Sequence, residues 1–204
     1  MVLSDNDIRE YINSGTALIT PCDEERLQGA SYDLSMSNKI AVFKKQVRTI
    51  DLMDQSAIDG TYEEKELTSA GYVLDPGEYI LATVVEEVKI PTNMIAHIRP
   101  RTRFTRLGVL VSAQHCNPGY AGILQLGIYN ASPNAIILKP ELRIAQIVFE
   151  ELKSEPSDDK QYQNKTDSAY MDEHEFRGAF FGSQELSPSA KKLFNTILRN
   201  IGEA

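Results

Sequence analysis

Hydrophobic positions recur along this chain at two different spacings, which predict one helix followed by a series of strands. Ile8, Tyr11 and Ile12 fall on one face of a helix over residues 4–14, which Ser4 can cap and Gly15 can end. The next apolar runs are short and separated by turn residues, at 17–20, 31–34, 39–43, 79–88, 94–98, 109–112, 123–129, 135–138 and 142–149. Because no helices alternate with these runs, the pattern predicts a mainly β fold, an all-β sandwich or barrel, rather than a parallel α/β sheet.

The polarity of the chain changes after residue 151. Residues 152–186 are polar and poor in aliphatic side chains, which indicates a linker or a tail that orders on binding. Ser187 as a cap, Pro188 in the first turn and Gly202 at the end predict a second helix, whose apolar stripe would dock on its own domain or on a neighbouring subunit. We therefore expect a main domain over 1–151 and a polar tail with a C-terminal helix over 152–204.

Composition and charge exclude several classes of protein. The 204 residues carry 21 Lys and Arg against 29 Asp and Glu, a formal charge of −8, whereas nucleic-acid binding needs a basic surface. No apolar run is long enough to span a bilayer, and the N-terminus lacks the pattern of a secretory signal. Cys22 and Cys116 are far apart and form no disulfide framework. These features predict a cytoplasmic protein that partners neither nucleic acid nor membrane.

Four arginines within eight residues are the most informative chemical feature of this acidic chain. In an extended segment Arg99, Arg101 and Arg103 would share one face, with Arg106 three residues further on. Guanidinium groups so close together repel each other unless an anion lies among them, and they suit bidentate binding of phosphate. Thr102 adds a hydroxyl donor. The cluster predicts a polyphosphate site; the alternatives are a solvated strand face or ion pairs between subunits.

A second segment, residues 112–122, has the composition of a ligand-binding turn. A proline and two glycines in this segment let the backbone turn tightly and approach a ligand closely. Tyr120 lies beside the turn and can stack on a sugar or a base. His115 and Cys116 are adjacent on a predicted strand, where neighbouring side chains point to opposite faces, so a nucleophilic dyad is not expected.

The sequence has no pattern of metal ligands. His97, His115 and His174 lack zinc-binding spacing, and the H-x-E and P-C-x-x-C signature of zinc deaminases is absent. A base deaminase of this sequence would therefore use no protein-bound zinc. The sequence is compatible with Mg²⁺ carried by the phosphates of a nucleotide, because that ion is often held by substrate and water. The acidic run at 172–175 is predicted to be a solvated part of the tail rather than a metal site.

Six segments in the same order resemble the dCTP deaminase family, which belongs to the trimeric dUTPase-like superfamily. They are MVLSDNDIREYINSG, ERLQGASYDLSMSNKI, LDPGEYILATVVEEVKIP, RPRTRFTRLGVLVSA, NPGYAGILQLGIYN and LRIAQIVFEEL, and together they cover roughly residues 1–151. The resemblance implies a distorted β-barrel or jelly-roll fold and a homotrimer. It also implies active sites between subunits that are closed by a flexible C-terminal tail.

The same resemblance implies eight nucleotide-binding positions. The family's phosphate-binding residues fall on Arg101, Thr102, Arg103, Arg106 and Gln146. The residues that line the base pocket and the deoxyribose fall on Ala113, Asn117 and Tyr120. The implied ligand is a pyrimidine deoxynucleoside triphosphate with its Mg²⁺.

Two of the family's acids are missing from this chain. The Glu that serves the deaminases as general base falls on Gly127, and the Asp that activates water in dUTPases falls on Asn117. Loss of a general base typically removes on the order of 10²–10⁴ in rate. Glu173 and Glu175 of the tail, or His115, are the candidates to replace it.

Three functions are consistent with these residues. The order of the matching segments favours a dCTP deaminase that makes dUTP and ammonia. Gly127, a small residue where dUTPases also have one, favours a dUTP diphosphatase, whereas Asn117 opposes it. The loss of both acids beside retained arginines favours a non-catalytic deoxynucleotide-binding trimer. If the site lacks only its base, a Gly127→Glu variant is expected to release more ammonia from dCTP.

Overall fold

One antiparallel sheet contains most of the strands of this protein. The computed structural model describes residues 1–16, 18–45, 49–52, 54–165 and 168–181. The helix predicted near the C-terminus lies outside these residues, as does residue 17 of the first predicted strand. The mainly β fold predicted from the sequence is confirmed.

The strands of the described chain are β1 (Ile19–Thr20), β2 (Leu27–Gln28), β3 (Ser31–Phe43), β4 (Tyr62–Glu66), β5 (Tyr72–Leu74), β6 (Tyr79–Lys89), β7 (Met94–Pro100), β8 (Val109–Val111), β9 (Gln114–Cys116), β10 (Ala121–Asn130), β11 (Ile136–Leu138) and β12 (Arg143–Glu151). The main sheet is curled, and its strands pair in the order β8-β10-β6-β3-β12-β7-β9. Strand β1 pairs with β6, strands β2 and β4 pair with β3, and β5 and β11 form a separate two-stranded sheet.

Strand β3 joins two runs that the sequence pattern separates. Its pairing with β6 shifts register between Met36 and Ile40, and the polar residues of this irregularity interrupt the apolar pattern. From Ser31 to Met36 every residue is buried, because β3 lies between β6 and β12 and is covered on both faces. Buried apolar side chains from β3, β6, β7, β10 and β12 form the core. Each Å² of apolar surface that this core removes from water stabilises the fold by about 25 cal/mol.

Three short α-helices accompany the sheet in the described chain: α1 (Asp5–Asn13), α2 (Gln55–Asp59) and α3 (Thr102–Arg106). Helix α1 is the one that the sequence predicts. Its capping box is complete, since the Asp7 amide donates to Ser4 Oγ at 3.3 Å and the Ser4 amide donates to Asp7 Oδ2 at 2.8 Å. Among the described residues no helix is long and apolar enough to cross a membrane.

Candidate functional site

A cavity of about 650 Å³ lies between the sheet and the C-terminal tail. We call it the tail cavity. Strand β9 and the following turn contribute Gln114, His115, Cys116 and Asn117 to its wall, followed by Tyr120, Leu124 and Gln125. Strands β4 and β6 contribute Tyr62, Tyr79 and Leu81. The tail contributes Tyr162, Tyr170, Glu173, Arg177, Gly178 and Ala179. Its size suits a small organic ligand, for which pockets of about 300–1,000 Å³ are usual.

The turn before β10 has the tight geometry that its sequence predicts. Gly119 has a φ of 81°, and the Tyr120 amide donates to the Asn117 carbonyl at 3.1 Å. Tyr120 is buried, and its ring meets the Tyr162 ring edge-on at 5.6 Å. Burial raises the pKa of the Tyr120 hydroxyl, so this group stays protonated at neutral pH. The turn therefore fixes Asn117 and Tyr120 on one wall of the tail cavity.

The tail adds to the sheet beside this turn. Glu173 forms a parallel bridge with Gly122: the Ile123 amide donates to the Glu173 carbonyl at 2.8 Å, and the Asp172 amide donates to the Ala121 carbonyl at 2.9 Å. Gly122 is required there, because its φ is 146° and a Cβ would lie 3.0 Å from the Glu173 nitrogen. The tail therefore pairs with the sheet of the same chain at Glu173 and closes one side of the cavity.

The prediction that the acidic run at 172–175 is solvated is wrong for Glu173. Its side chain is buried, with only 3% of the residue exposed, whereas His174 and Glu175 are exposed. The Arg177 amide donates to Glu173 Oε1 at 3.1 Å. Burial raises the pKa of Glu173 to about 7, although the hydrogen bond from Arg177 and its positive charge act in the opposite direction. A carboxyl group of this kind exchanges a proton near neutral pH.

Gly127 is small because another side chain fills the space beside it. A Cβ at this position would overlap the Tyr79 hydroxyl and lie 2.8 Å from Tyr79 Cζ. The Gly127 amide also donates to Ser112 Oγ at 2.9 Å. The expectation that a Gly127→Glu variant gains ammonia release is therefore revised, because a glutamate cannot be added here while Tyr79 keeps its place.

The arginine segment does not extend as one strand, so the prediction of a shared face is wrong. Strand β7 ends at Pro100, and α3 begins at Thr102 with Arg101 as its N-cap residue. Arg99 therefore lies on the strand, whereas Arg103 lies on the helix. The segment separates into Arg101, which is paired with Asp33, and three exposed arginines, Arg99, Arg103 and Arg106.

Asp33 holds Arg101 in place, and the sequence reasoning missed this residue. Arg101 Nη1 donates to Asp33 Oδ2, and Gln146 Nε2 donates to Asp33 Oδ1 at 3.3 Å. Arg143 Nη1 lies 3.5 Å from the same carboxylate, which is fully buried in β3. A signal was present, because a charged residue inside the apolar run around Tyr32 and Leu34 needs a buried partner.

The eight predicted nucleotide-binding residues occupy four places in one chain. Asn117 and Tyr120 line the tail cavity, and Arg101 and Gln146 meet at Asp33. Thr102, Arg103 and Arg106 are exposed on α3, and Ala113 is exposed between β8 and β9. Within the described residues, no ion pair involves Arg103 or Arg106. One chain alone therefore does not bring the α3 arginines to the cavity.

His115 and Cys116 differ in exposure, although both border the tail cavity. Cys116 is buried, and burial raises the pKa of its thiol to about 12. His115 is exposed beside His97, with 5.1 Å between the ring centroids. Partial burial and the neighbouring His97 lower the pKa of His115. In the described part of the chain, no group of three or more His, Cys, Asp and Glu side chains is placed to hold a metal ion.

Comparison with known proteins identifies relatives for most of the chain. A family model described as dCTP deaminase-like matches residues 2–152. The "dCTP deaminase, dUMP-forming" of Sulfurihydrogenibium sp. is 32% identical over 166 residues, which are 81% of this chain and 91% of that protein. The protein of the same name from Methanothermobacter thermautotrophicus is 33% identical over 193 residues, 87% of this chain and 98% of that one. The dCTP deaminase of Natronomonas pharaonis is 35% identical over 160 residues, 76% and 82% of the two chains.

A solved structure shares the fold. The crystal structure of the 2'-deoxycytidine 5'-triphosphate deaminase from Agrobacterium tumefaciens has a TM-score of 0.59 at 22% identity. The match covers 74% of this chain and 48% of that one, so this chain spans about half the length of that structure. At this identity the likeness concerns the fold alone.

Proposed function

Because the chain belongs to the dCTP deaminase-like family, we propose that it hydrolyses the 4-amino group of dCTP, releasing ammonia and dUTP. The observation that carries this proposal is the tail cavity, which the turn with Asn117 and Tyr120 shares with the tail. Amide side chains of Gln114 and Gln125 stand in its wall as donors and acceptors for a pyrimidine edge, and Tyr120 offers an aromatic edge beside a sugar.

The exposed arginines of α3 support a triphosphate site that is completed between subunits. Arg103 and Arg106 carry positive charges that no acidic side chain of the described residues neutralises. In the homotrimer that we propose, α3 of one subunit supplies these charges to the tail cavity of its neighbour. Arg101 supports the site structurally, because Asp33 already neutralises its positive charge. Mg²⁺ would arrive with the triphosphate, held largely by phosphate oxygens and water.

A second hydrolysis is favoured by the names of two relatives. The proteins from Sulfurihydrogenibium sp. and Methanothermobacter thermautotrophicus are named dUMP-forming. In this chain the second reaction would cleave dUTP to dUMP and pyrophosphate. Asn117 is a neutral amide and a poor base, so we expect this step to be slower than the release of ammonia.

Product analysis tests the proposed function directly. The full-length protein is incubated with Mg²⁺ and either dCTP or dUTP, and ammonia, pyrophosphate and the uracil nucleotide are measured. Ammonia from dCTP supports the deaminase, and pyrophosphate in addition supports the second step. Pyrophosphate from dUTP without ammonia from dCTP would show a diphosphatase instead. Binding of dCTP without any product would leave a non-catalytic nucleotide-binding protein.

Removing the α3 arginines is expected to weaken triphosphate binding selectively. In an Arg103→Ala/Arg106→Ala variant, loss of charge-assisted hydrogen bonds should raise the Kd for dCTP on the order of 10- to 100-fold. Calorimetric titration measures this change, with deoxycytidine as the ligand that lacks phosphates. A Lys153→Ala/Lys160→Ala variant removes two exposed charges elsewhere and serves as the matched control. An unchanged Kd for dCTP, or an equal loss for deoxycytidine, would contradict the phosphate assignment.

A further inference from the structure

A deaminase needs a group that takes a proton from water and returns it to the leaving amine. This inference therefore rests on the proposed deamination of dCTP. Position 127 holds a glycine, whose space is filled by Tyr79, and position 117 holds a neutral amide. Neither position can provide a carboxylate, so the proton acceptor must come from another part of the cavity wall.

Glu173 is the sole carboxylate among the described residues that line the tail cavity. It stands beside the wall formed by Asn117 and Tyr120, because its backbone bridges to Gly122 directly after that turn. Two backbone hydrogen bonds, donated by the Ile123 and Asp172 amides, fix the position of Glu173 along β10. The register of β10 with β6 also shifts between Ile123 and Gln125, at the point where the tail attaches. Irregularities of this kind re-aim side chains beside functional sites.

We propose that Glu173 is the proton acceptor and donor of the deamination, supplied by the tail in place of an acid on β10. As the water oxygen bonds to C4 of cytosine, one water proton passes to the Glu173 carboxylate and the C4=N3 electron pair moves to N3. Glu173 then protonates N3. The remaining hydroxyl proton passes through the same carboxylate to the 4-amino group, the C4–N bond breaks, and ammonia leaves. Glu173 ends ionised, as it began, and the ring has become uracil.

The electrostatic surroundings of Glu173 suit a group that cycles between two protonation states. Arg177 donates its amide to one carboxylate oxygen and contributes a positive charge, which stabilises the ionised form. Burial of the carboxyl group stabilises the neutral form. These opposing effects leave the pKa at about 7, so both forms are populated at neutral pH. General acid–base catalysis is most efficient for a group in this range.

Other titratable groups face the same cavity and bear on its pH dependence. They are Tyr62 on β4, Tyr79 on β6, His115 and Cys116 on β9, Tyr120 after the turn, and Tyr162, Tyr170 and Arg177 in the tail. Burial raises the pKa values of Tyr62 and Cys116 to about 12 and also raises those of Tyr79 and Tyr120. His115 is therefore the main competitor of Glu173 near neutral pH, and its pKa is lowered by burial and by His97.

The test compares the full-length wild type with a Glu173→Gln variant, using ammonia release from dCTP with Mg²⁺. Gln has the shape of the neutral carboxyl and can still accept the Arg177 amide, so the fold and the KM should be kept. We expect kcat to fall about 10²- to 10⁴-fold. Wild-type kcat/KM should rise with pH through about 7, because the base must be ionised, and Glu173→Gln should lose this rise. Glu175→Gln, at an exposed neighbouring carboxylate, is the matched control.

The outcomes separate this inference from the proposed function. Ammonia release by the wild type with an unchanged kcat in Glu173→Gln overturns the role of Glu173 and leaves the deaminase standing. Loss of the pH dependence in His115→Gln, but not in Glu173→Gln, assigns the proton to the histidine and also overturns it. Should Glu173→Gln fail to fold, a wild-type kcat/KM that stays flat between pH 6 and 8 decides against Glu173. Binding of dCTP by the wild type without ammonia overturns both.

Discussion

Replacing Asp33 by Asn is expected to lower the free energy of unfolding by about 3–5 kcal/mol, the usual cost of removing one partner from a buried ion pair. The Asp33 carboxylate is fully buried in β3, and both of its oxygens accept hydrogen bonds, one from Arg101 and the other from Gln146. In either orientation of its side chain, an asparagine would place its NH2 group, which is itself a donor, against one of these two donors. The guanidinium of Arg101, whose side chain is 15% exposed, would also lose its counter-charge.

Denaturation by urea measures this effect. Asp159→Asn is the matched control, because Asp159 forms an ion pair with Lys160 at 3.0 Å in which both side chains are 69% exposed. Exposed pairs contribute little to stability, so the midpoint of the control should stay close to that of the wild type. If Asp33→Asn shifted the midpoint no more than the control does, the buried pair would not stabilise the fold as described.

Adding a methyl group at Gly127 is expected to destabilise the protein by about 1–3 kcal/mol, the usual cost of overpacking. The new Cβ would overlap the Tyr79 hydroxyl, and strand pairing between β10 and β6 prevents the two backbones from moving apart. The matched control is Gly29→Ala, since a Cβ there meets no atom within 4 Å. By the same reasoning, Gly127→Glu should release no more ammonia from dCTP than the wild type does.

A double-mutant cycle shows whether Tyr79 is the cause of this cost. A Tyr79→Leu background removes the phenol ring end that the new Cβ meets, so Gly127→Ala should cost less there than in the wild type. Thermal or urea unfolding of the four proteins provides the coupling free energy. Simple addition of the two single effects would mean that the clash with Tyr79 does not explain the glycine.

The prediction of the arginine segment shows where local pattern reasoning fails. In an extended chain, side chains two positions apart share a face, so Arg99 and Arg103 would lie on the same side. The rule is sound, but this segment is not extended. The backbone leaves the strand at Pro100, which has no N–H to donate to the ladder, and turns into α3. Pro100, inside the segment assumed to be extended, was the available signal for this break.

The polar tail illustrates a second kind of limit. Its composition predicts a linker or a segment that orders on binding, and nothing in residues 172–175 distinguishes a buried glutamate from an exposed one. Glu173 is buried because its backbone pairs with Gly122, about fifty residues earlier in the chain. The glycine that admits this contact is visible in the sequence, but its partner is not.

Features that depend on near neighbours can be read from the amino-acid sequence. The capped first helix, the alternating strands such as β6 and the Pro-Gly turn before Tyr120 follow from residues within a few positions of each other. Three other features follow from long-range packing: Asp33 neutralises Arg101, Tyr79 fills the space beside Gly127, and Glu173 lines the cavity. These contacts join residues that are roughly fifty to seventy positions apart, and they exist only once the sheet has curled and the tail has paired with it.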